Sequence, residues 1–487
     1  MRQHHIDAGD LAITRRGLTG KIARIALNLR AHLSDAIVTG DEDTAMAIRR
    51  ITGGTGAPVR VEQSHLVPDP RPADSTMPAE ELRRGRVMVL SPDNCTFGGI
   101  QRYTWTWGEA ALDLGYSVRI AALWKRGTVQ GEGVSRVRAA WFTFKTVITA
   151  LVRRPDAVIS AHLSLSPVAL IIRRLTGAPY AVTLHGNEAW RGEFGKRAEC
   201  AIRKADLRIP VSHFTRDVLA EMLGFEPQRF YVTGGLLAPE LQLRAEKYRV
   251  TPSLEQMADV PCNEQAPRYL LTVARLDLNA PYKRHDLVLR AVAALASDYP
   301  ELTYHIVGDG PYRTDLEALT AQLRIEDRVK FLGRISEEAL AEENANAYAF
   351  VMPSRISLKP SEGEGFGFVY LEAGIYGVPS IAANGGGSTE TVLDSITGLL
   401  VEPDSLESLI AGIRALLDDK ALRDQLGEMA PLRAIEFSYP IFRRKCRAVL
   451  LALTEDQDPQ SVEPEHDPRA IAQWILTGPG GVTGASA

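Results

Sequence analysis

Residues 361–374 read Ser-Glu-Gly-Glu-Gly-Phe-Gly-Phe-Val-Tyr-Leu-Glu-Ala-Gly, so a polar, glycine-rich loop runs directly into an apolar helical start. The loop glycines permit backbone conformations and close approaches that other residues do not. They are Gly363, Gly365 and Gly367. A helix that begins near Phe368 directs free N–H groups and the positive end of its dipole at an anion, for which a phosphate is expected. The stretch therefore predicts an anion site where the loop meets the helix.

Two carboxylates flank this predicted site. Glu364 precedes the helix and Glu372 lies one turn inside it. Both are expected to line one rim and to bind hydroxyl groups, while the backbone amides bind the negative charge. This combination suits a sugar nucleotide. The alternative is an ordinary turn before a capped helix, with both glutamates in solvent.

Two glutamates separated by seven residues around a Gly-Phe-Gly turn resemble the signature of the retaining glycosyltransferases of the GT-B fold. Within that fold the resemblance is to the glycogen-synthase-like and mannosyltransferase-like group called family 4. Gly-Val-Pro-Ser-Ile-Ala at 377–382 and Gly-Gly-Gly-Ser-Thr-Glu at 385–390 extend the resemblance. It covers roughly residues 86–453 and implies an α/β chain of GT-B architecture. Such a chain has two facing Rossmann-like domains and a C-terminal crossover helix, with the nucleotide bound mainly by the second domain.

The resemblance also implies roles for particular residues. His185 and Glu364 match catalytic positions of the family. Donor binding is implied for Gly98, Gly99, Arg275, Lys283, Gly365, Phe366, Gly367, Phe368, Val369 and Glu372. Neither a metal ion nor a cofactor is implied, because the nucleotide diphosphate sugar is itself a substrate.

Composition sets the broad class of the protein. The chain has 487 residues, which suggests two or three domains, and its 45% hydrophobic content is ample for buried cores. A net charge of -4 gives no global field that would favour nucleic acid. Four widely spaced cysteines argue against a disulfide framework or a zinc site and indicate a reducing compartment. No window is long and apolar enough for a spanning helix, and the N-terminus lacks a hydrophobic signal region. We expect a cytoplasmic protein, or one at the inner face of the membrane.

The chain divides into five predicted segments. They are an N-terminal helical extension with a Pro-rich linker (1–80), an acceptor-side Rossmann-like domain (86–265), a nucleotide-sugar-binding Rossmann-like domain (268–436), a crossover helix (437–455) and a mobile tail (456–487). The N-terminal extension is either an appendage packed on the first domain or a helix that contacts a membrane surface or a partner.

A β-α-β pattern opens the first domain, with short apolar strands separated by helices. Gly98 and Gly99 lie between the first strand and the first helix, and resemble the family loop that approaches the reaction centre beneath the donor. An ordinary strand-to-helix turn explains them equally well. His185 follows the strand 180–184, at the edge where open α/β sheets present ligand groups. The resemblance gives this histidine a hydrogen bond to the donor sugar, near its primary hydroxyl. Glu188 is a weaker candidate.

The second domain carries two cations near its first strand. Arg275 follows the strand 269–274, and Lys283 precedes a helix. They resemble the pair that clamps the donor diphosphate, whose departure with negative charge needs neutralisation. The glycine that usually follows this lysine is replaced by Arg284, and a solvated charge pair is the alternative interpretation. Ser388, Thr389 and Glu390 are expected to flank the phosphates.

An aromatic and aliphatic stretch at 141–154 carries Lys145, Arg153 and Arg154. It is either a packed helix or a helix that contacts a lipid monolayer. Family members that act on lipid-linked acceptors use a surface of this kind, so peripheral membrane contact is one of the two interpretations.

Together these features predict a retaining, metal-independent hexosyltransferase that uses a nucleotide diphosphate sugar and a hydroxyl acceptor, either a glycan or a lipid-linked saccharide. Assembly of surface polysaccharide or glycoconjugates is the expected setting. Two alternatives stay open: a sugar-nucleotide epimerase or phosphorylase on the same fold, and a non-catalytic glycan-binding partner subunit.

Overall fold

The structure is a computed structural model. It describes residues 85–93, 99–124, 135–190, 195–237, 241, 268–278, 280–358 and 361–462. Several predictions concern residues outside these ranges. They are the N-terminal extension (1–80), Gly98 and most of the tail.

The first sheet contains, among the described residues, five parallel strands in the order β2-β1-β3-β4-β5. The strands are β1 (Arg86–Asp93), β2 (Ser117–Trp124), β3 (Ala157–Ser160), β4 (Tyr180–Leu184) and β5 (Leu207–Pro210). Every residue of β3 and β4 is buried, as expected for parallel strands covered on both faces.

Helices cover both faces of this sheet. They are α1 (Gly99–Asp113), α2 (Arg136–Arg153), α3 (Ser166–Thr176), α4 (Asn187–Trp190), α5 (Gly195–Arg203) and α6 (His213–Leu223). Alternate residues of β1 point to opposite faces. Val87 and Val89 join the cluster that contains Trp107 of α1, whereas Met88 and Leu90 join the cluster on the other face. The core therefore lies on both sides of the sheet.

The second sheet contains, in the described part of the chain, six parallel strands in the order β13-β12-β9-β6-β7-β8. The strands are β6 (Tyr269–Val273), β7 (Thr303–Val307), β8 (Val329–Gly333), β9 (Ala349–Met352), β12 (Ser380–Ala383) and β13 (Gly398–Val401). A separate antiparallel pair, β10 (Ser357–Leu358) and β11 (Ser361–Glu362), leads into the glycine-rich loop.

The helices of the second half pack around this sheet. They are α7 (His285–Leu295), α8 (Arg313–Leu323), α9 (Glu337–Asn346), α10 (Phe368–Gly374), α11 (Ser388–Thr391), α12 (Leu406–Asp418) and α13 (Lys420–Ile435). Helix α10 begins at Phe368, where the sequence places it.

The C-terminal helix returns to the first half of the chain. Helix α14 (Tyr439–Thr454) packs on α1, and the ring of Phe442 lies 5.1 Å from that of Tyr103 and 5.9 Å from that of Trp107. The predicted crossover helix is therefore present, followed by a short helix α15 (Pro459–Val462). The structure has the predicted α/β class, with two parallel sheets, while the limits of the predicted domains stay a prediction. No helix in the described ranges has both the length and the apolar character needed to cross a membrane.

Candidate active site

Loops at the carboxyl ends of strands in both sheets meet backbone to backbone. A Cβ atom built at Gly365 would lie 2.3 Å from the carbonyl oxygen of His185, and one at Gly186 would lie 2.7 Å from the Cα of Gly365. Gly186 also has φ +127°, a conformation that side chains rarely adopt. Only glycine fits at this contact, which brings the glycine-rich loop against the loop that carries His185.

Lys283 and Glu364 form an ion pair beside this contact. The Nζ of Lys283 lies 2.8 Å from the Oε1 of Glu364, and the two side chains are 15% and 14% exposed. A pair this well screened from water is more than a solvated surface pair. The predicted diphosphate cation and the predicted catalytic carboxylate are thus brought together by the fold, although 81 residues separate them.

The residue after Lys283 is Arg284, where the family pattern has a glycine, and its contacts account for this difference. Arg284 has φ 60° and ψ 38°, the left-handed conformation that favours glycine. Its guanidinium donates to Asp286 at 3.1 and 3.2 Å and also pairs with Asp404. These ion pairs hold an arginine where a glycine would be unstrained.

Arg275 lies apart from the Lys283–Glu364 pair in its contacts. Its side chain is 83% exposed, and its guanidinium contacts Asp277 at 3.0 Å. Its role in clamping a diphosphate together with Lys283 stays a prediction, which requires the exposed side chain to change partner.

His185 is a neutral imidazole with a defined tautomer. Its Nε2 lies 2.8 Å from the carbonyl oxygen of Ala161. Because a carbonyl only accepts, Nε2 carries the proton and Nδ1 is an acceptor. Burial, with a contribution from nearby His162, lowers the pKa of His185 to about 3. The backbone N–H of His185 donates to Glu188 at 2.8 Å, so Glu188 holds the loop in place.

His162 was not among the sequence-based candidates. It follows β3 as His185 follows β4, and the two rings stack with centroids 6.4 Å apart. The N–H of Ser164 donates to its Nδ1 at 3.2 Å, so the proton of the neutral ring is on Nε2. Burial lowers the pKa of His162 to about 4. The sequence signal that could have identified His162 is its position shortly after a buried strand.

Glu372 and Glu364 have different partners, and their common rim stays a prediction. Glu372 accepts a hydrogen bond from Arg102 of α1 at 3.0 Å. Burial raises the pKa of Glu372, and the Arg102 cation opposes this effect. The pair connects α10 with α1, and Arg102 was another residue that the sequence did not single out.

The side chains around the glycine loop are largely part of the core. Phe366 is buried, its ring lies 5.0 Å from that of Phe437, and it fills the space above Gly235. Its side chain therefore packs between elements of the two halves. Gly367 has φ +93° and caps α10, in which Phe368 and Val369 are half-buried. Gly99 begins α1.

The predicted phosphate-flanking residues after β12 have other roles. The hydroxyls of Ser388 and Thr389 donate to carbonyl oxygens of their own turn. Glu390 has protein partners, and its place beside the phosphates stays a prediction. Its carboxylate accepts the backbone N–H groups of His213 and Phe214, each at 2.9 Å, at the start of α6.

The stretch 141–154 belongs to α2, which has a buried face and an exposed one. Thr146 and Ala150 are buried, whereas Val137 is 80% exposed and the stacked rings of Trp141 and Phe144 are also exposed. The helix is therefore packed, and part of its apolar surface faces solvent.

Two family models match the chain. Residues 97–234 match the model described as Glycosyltransferase Family 4, and residues 257–433 match the model described as Glycosyl transferases group 1. The two segments contain His185 and the Lys283–Glu364 pair, respectively.

A curated relative is the GDP-mannose-dependent alpha-(1-6)-phosphatidylinositol monomannoside mannosyltransferase of Mycolicibacterium smegmatis. It is 32% identical over 266 residues, which cover 52% of this chain and 65% of that protein. The chain thus matches just under two thirds of the relative's length.

Two solved structures have a similar fold. Alr3699/HepE of Anabaena in complex with UDP has a TM-score of 0.59 and 19% identity, over 76% of this chain and 100% of that chain. Sucrose-phosphate synthase from Thermosynechococcus elongatus has a TM-score of 0.59 and 19% identity, over 77% and 100%. At these identities the similarity supports the fold alone.

Proposed function

We propose that this chain, which belongs to the family 4-like glycosyltransferases of the GT-B fold, transfers a hexose from a nucleotide diphosphate sugar to a hydroxyl acceptor. The proposed transfer retains the anomeric configuration. The family assignment follows from the two matching segments, which cover parts of both halves of the chain. The observation that carries the proposal is the shielded ion pair of Lys283 and Glu364 beside the contact of Gly365 with the His185 loop.

This arrangement offers complementary groups to a sugar diphosphate. In the proposed complex the Lys283 ammonium turns to the diphosphate, and Arg275 supplies a second cation. The Glu364 carboxylate, released from Lys283, accepts hydrogen bonds from sugar hydroxyls. His185 contributes Nδ1 as an acceptor for a further hydroxyl, and its low pKa keeps the ring neutral at physiological pH.

The proposed reaction breaks the bond between the anomeric carbon and a diphosphate oxygen, and forms a bond from that carbon to the acceptor oxygen on the same face. The acceptor proton moves to the departing diphosphate oxygen. In this scheme the protein positions the reactants and stabilises charge, and no side-chain carboxylate attacks the sugar. Neutralisation by Lys283 and Arg275 in place of a metal ion, and the absence of a cofactor, are parts of the same proposal.

GDP-mannose is the donor we propose to test first. The mycobacterial relative is named as GDP-mannose-dependent and is 32% identical, whereas the UDP-bound neighbour is 19% identical and supports only the fold. The same name suggests a glycolipid acceptor, so we propose a lipid-linked or polysaccharide hydroxyl as the acceptor class.

We also propose that α2 contacts a membrane surface. Its exposed Trp141 and Phe144 lie on a helix that carries several cations, and amphipathic aromatic side chains suit the lipid interface. Replacing both aromatics with alanine is expected to abolish sedimentation with anionic vesicles. Leu112→Ala, at an exposed leucine of α1, is the matched control and should sediment normally. Unchanged sedimentation of the double variant would exclude α2 as the contact.

The reaction is tested by nucleotide release from GDP-mannose, UDP-glucose and ADP-glucose, with and without a mannoside glycolipid acceptor. We expect release that depends on the acceptor and is lost in Glu364→Gln. Glu362→Gln is the matched control, because Glu362 lies two residues away and pairs with Arg355 at 2.5 Å. Near-normal turnover of Glu364→Gln, or an isomerised donor without acceptor, would contradict the proposal.

A further inference from the structure

A second charged site lies at the amino-terminal end of β5, the opposite edge of the first sheet from His185. Here a cavity of about 420 Å³ opens between the ends of α3 and α5 and the residues that follow α14. We call it the basic cavity, because its lining includes five cationic side chains. They are Arg173, Arg203, Lys204, Arg208 and Arg229.

The negative charge around the basic cavity is smaller than the positive charge. Asp206 and Asp458 also line it, and Asp206 is paired with Arg173 at 2.7 Å. Arg203 pairs at 2.9 Å with Glu199, in a contact that is largely open to solvent. Asp458 is the other acidic residue in the lining, and its carboxylate accepts the backbone N–H of Gln460 at 3.0 Å.

Lys204 and Arg229 are the two outer cations of the basic cavity. Lys204 and Arg229 are exposed residues at the ends of α5 and of the turn Pro227–Arg229. Within the described ranges, neither side chain has a hydrogen bond or an ion pair. Both can move toward a ligand without breaking an existing contact.

Arg208 is the buried cation of the basic cavity. It is only 6% exposed, and its guanidinium carbon lies 4.4 Å from the ring centroid of Phe225. One terminal nitrogen donates to the carbonyl oxygen of Arg203 at 2.6 Å, while its Nε is buried without a partner among the described residues. Burial lowers the pKa of Arg208, Arg229 and Arg203 act in the same direction, and Tyr180 and Asp206 oppose them. A bound anion would stabilise this buried guanidinium and reduce its repulsion with the neighbouring cations Arg203 and Arg229.

We propose that the basic cavity binds the phosphate group of a small anionic ligand, a phosphomonoester or a diphosphate. Planar guanidinium groups match phosphate geometry, and Lys204 adds a mobile ammonium. The volume is in the range of sites for small molecules and exceeds what a bare phosphate needs. Asp458 and Asp206 would repel a ligand that is negatively charged throughout. The part of the ligand beyond its phosphate group is therefore expected to be uncharged and polar.

Binding is tested with inorganic pyrophosphate by isothermal titration calorimetry on the full chain. Because the candidate active site also takes a diphosphate, the measurement uses Lys283→Ala as the background. The test variant adds Lys204→Ala and Arg229→Ala, both at exposed positions, so folding is expected to be kept and is checked by circular dichroism. The charge-matched control instead adds Arg174→Ala and Lys196→Ala, which are exposed cations that do not line the cavity.

We expect the test variant to bind pyrophosphate at least roughly tenfold more weakly than the background, as for loss of a charge-assisted contact. The control should bind as the background does. Equal binding by test variant and control, or no binding by the background, would overturn the proposal. This measurement does not depend on glycosyl transfer. A failure of the phosphate-site proposal is therefore distinguishable from a failure of the proposed function.

Two sources could supply the phosphate, and vesicles that contain phosphatidic acid, a lipid phosphomonoester, separate them. The vesicle arm uses Trp141→Ala with Phe144→Ala, which removes the proposed contact of α2. Sedimentation that requires Lys204 and Arg229 assigns a lipid headgroup. Pyrophosphate binding without sedimentation assigns a soluble phosphate compound.

Discussion

At the scale of single residues, the candidate site depends on pairs that no local pattern reveals. The glycine loop indicated Glu364 and a strand end indicated His185, while Lys283 was indicated by the family resemblance. Their partners were not indicated, because Lys283 meets Glu364 across 81 residues and Arg102 meets Glu372 across 270. Glu364 and Glu372 have the spacing of a shared rim, yet tertiary contacts give each a different cation.

Arg284 provides a test of backbone strain next to the site. Arg284→Gly and Arg284→Ala both lose the ion pairs with Asp286 and Asp404, but only glycine is unstrained at φ 60°. We expect the glycine variant to be more stable than the alanine variant by about 1 kcal/mol, since the left-handed conformation costs side chains roughly 1–2 kcal/mol. Denaturant unfolding of the two variants gives this difference directly. An alanine variant as stable as the glycine variant would refute the strain.

The buried histidine His285 predicts a pH dependence of stability. It is 1% exposed, neither ring nitrogen has a hydrogen bond among the described residues, and burial lowers its pKa from 6.5 to about 3. Below pH 6.5 the unfolded chain binds a proton that the folded chain does not. The free energy of unfolding therefore falls as the pH decreases from 6.5 toward 3, by up to about 1.4 kcal/mol per pH unit for this group.

His285→Leu removes this titration. We expect its free energy of unfolding to fall less steeply than that of the natural chain between pH 6.5 and 4.5, while above pH 7 the difference between the two proteins is constant. Urea unfolding at a series of pH values measures both slopes. Parallel slopes would show that His285 is not kept neutral by the fold.

At the scale of elements, strands with continuous apolar runs were predicted well because burial on both faces leaves a plain signal. The strand β4 has the predicted bounds, and β6 ends one residue before the predicted strand 269–274 does. The prediction missed β13, a four-residue strand that begins with a glycine, and the pair β10 and β11, with two residues each. Such short elements are stabilised by their neighbours more than by their own sequence.

The cap on α6 illustrates how an element of one half is completed by the other. The Glu390 carboxylate accepts two N–H groups of α6, and its backbone carbonyl oxygen accepts the Arg433 guanidinium at 3.1 Å. Glu390→Ala is expected to reduce the free energy of unfolding by about 1 kcal/mol, as other losses of an N-terminal helix cap do. Glu221→Ala, at an exposed carboxylate near the end of the same helix, should have little effect. Equal stability of both variants in thermal unfolding would show that the Glu390 cap does not stabilise the protein.

At the scale of the whole molecule, the two halves are held together by a shared core and by contacts at the loop ends. Phe366 and Leu371 of the second half belong to the same buried cluster as Tyr103 and Trp107 of the first, and α14 completes it. The sequence indicated two sheets and a returning helix. It did not indicate this cluster, because Phe366 lies in the glycine motif and was interpreted as donor-binding.

The backbone contact between the halves, at Gly365 and Gly186, leads to a prediction about catalysis. Gly365→Ala places a Cβ atom 2.3 Å from the carbonyl oxygen of His185, so the loop that carries Glu364 has to move away from His185. A misplacement of about 1 Å lowers rates on the order of 100-fold, and we expect a loss of transfer of this size. Gly108→Ala is the control, since the nearest atom to its Cβ would be the flexible end of Ile120 at 3.1 Å. Transfer rates and thermal unfolding are measured for both variants. Each sheet keeps its own core, so Gly365→Ala should stay folded, and a folded variant with the natural transfer rate would show that catalysis does not need this contact.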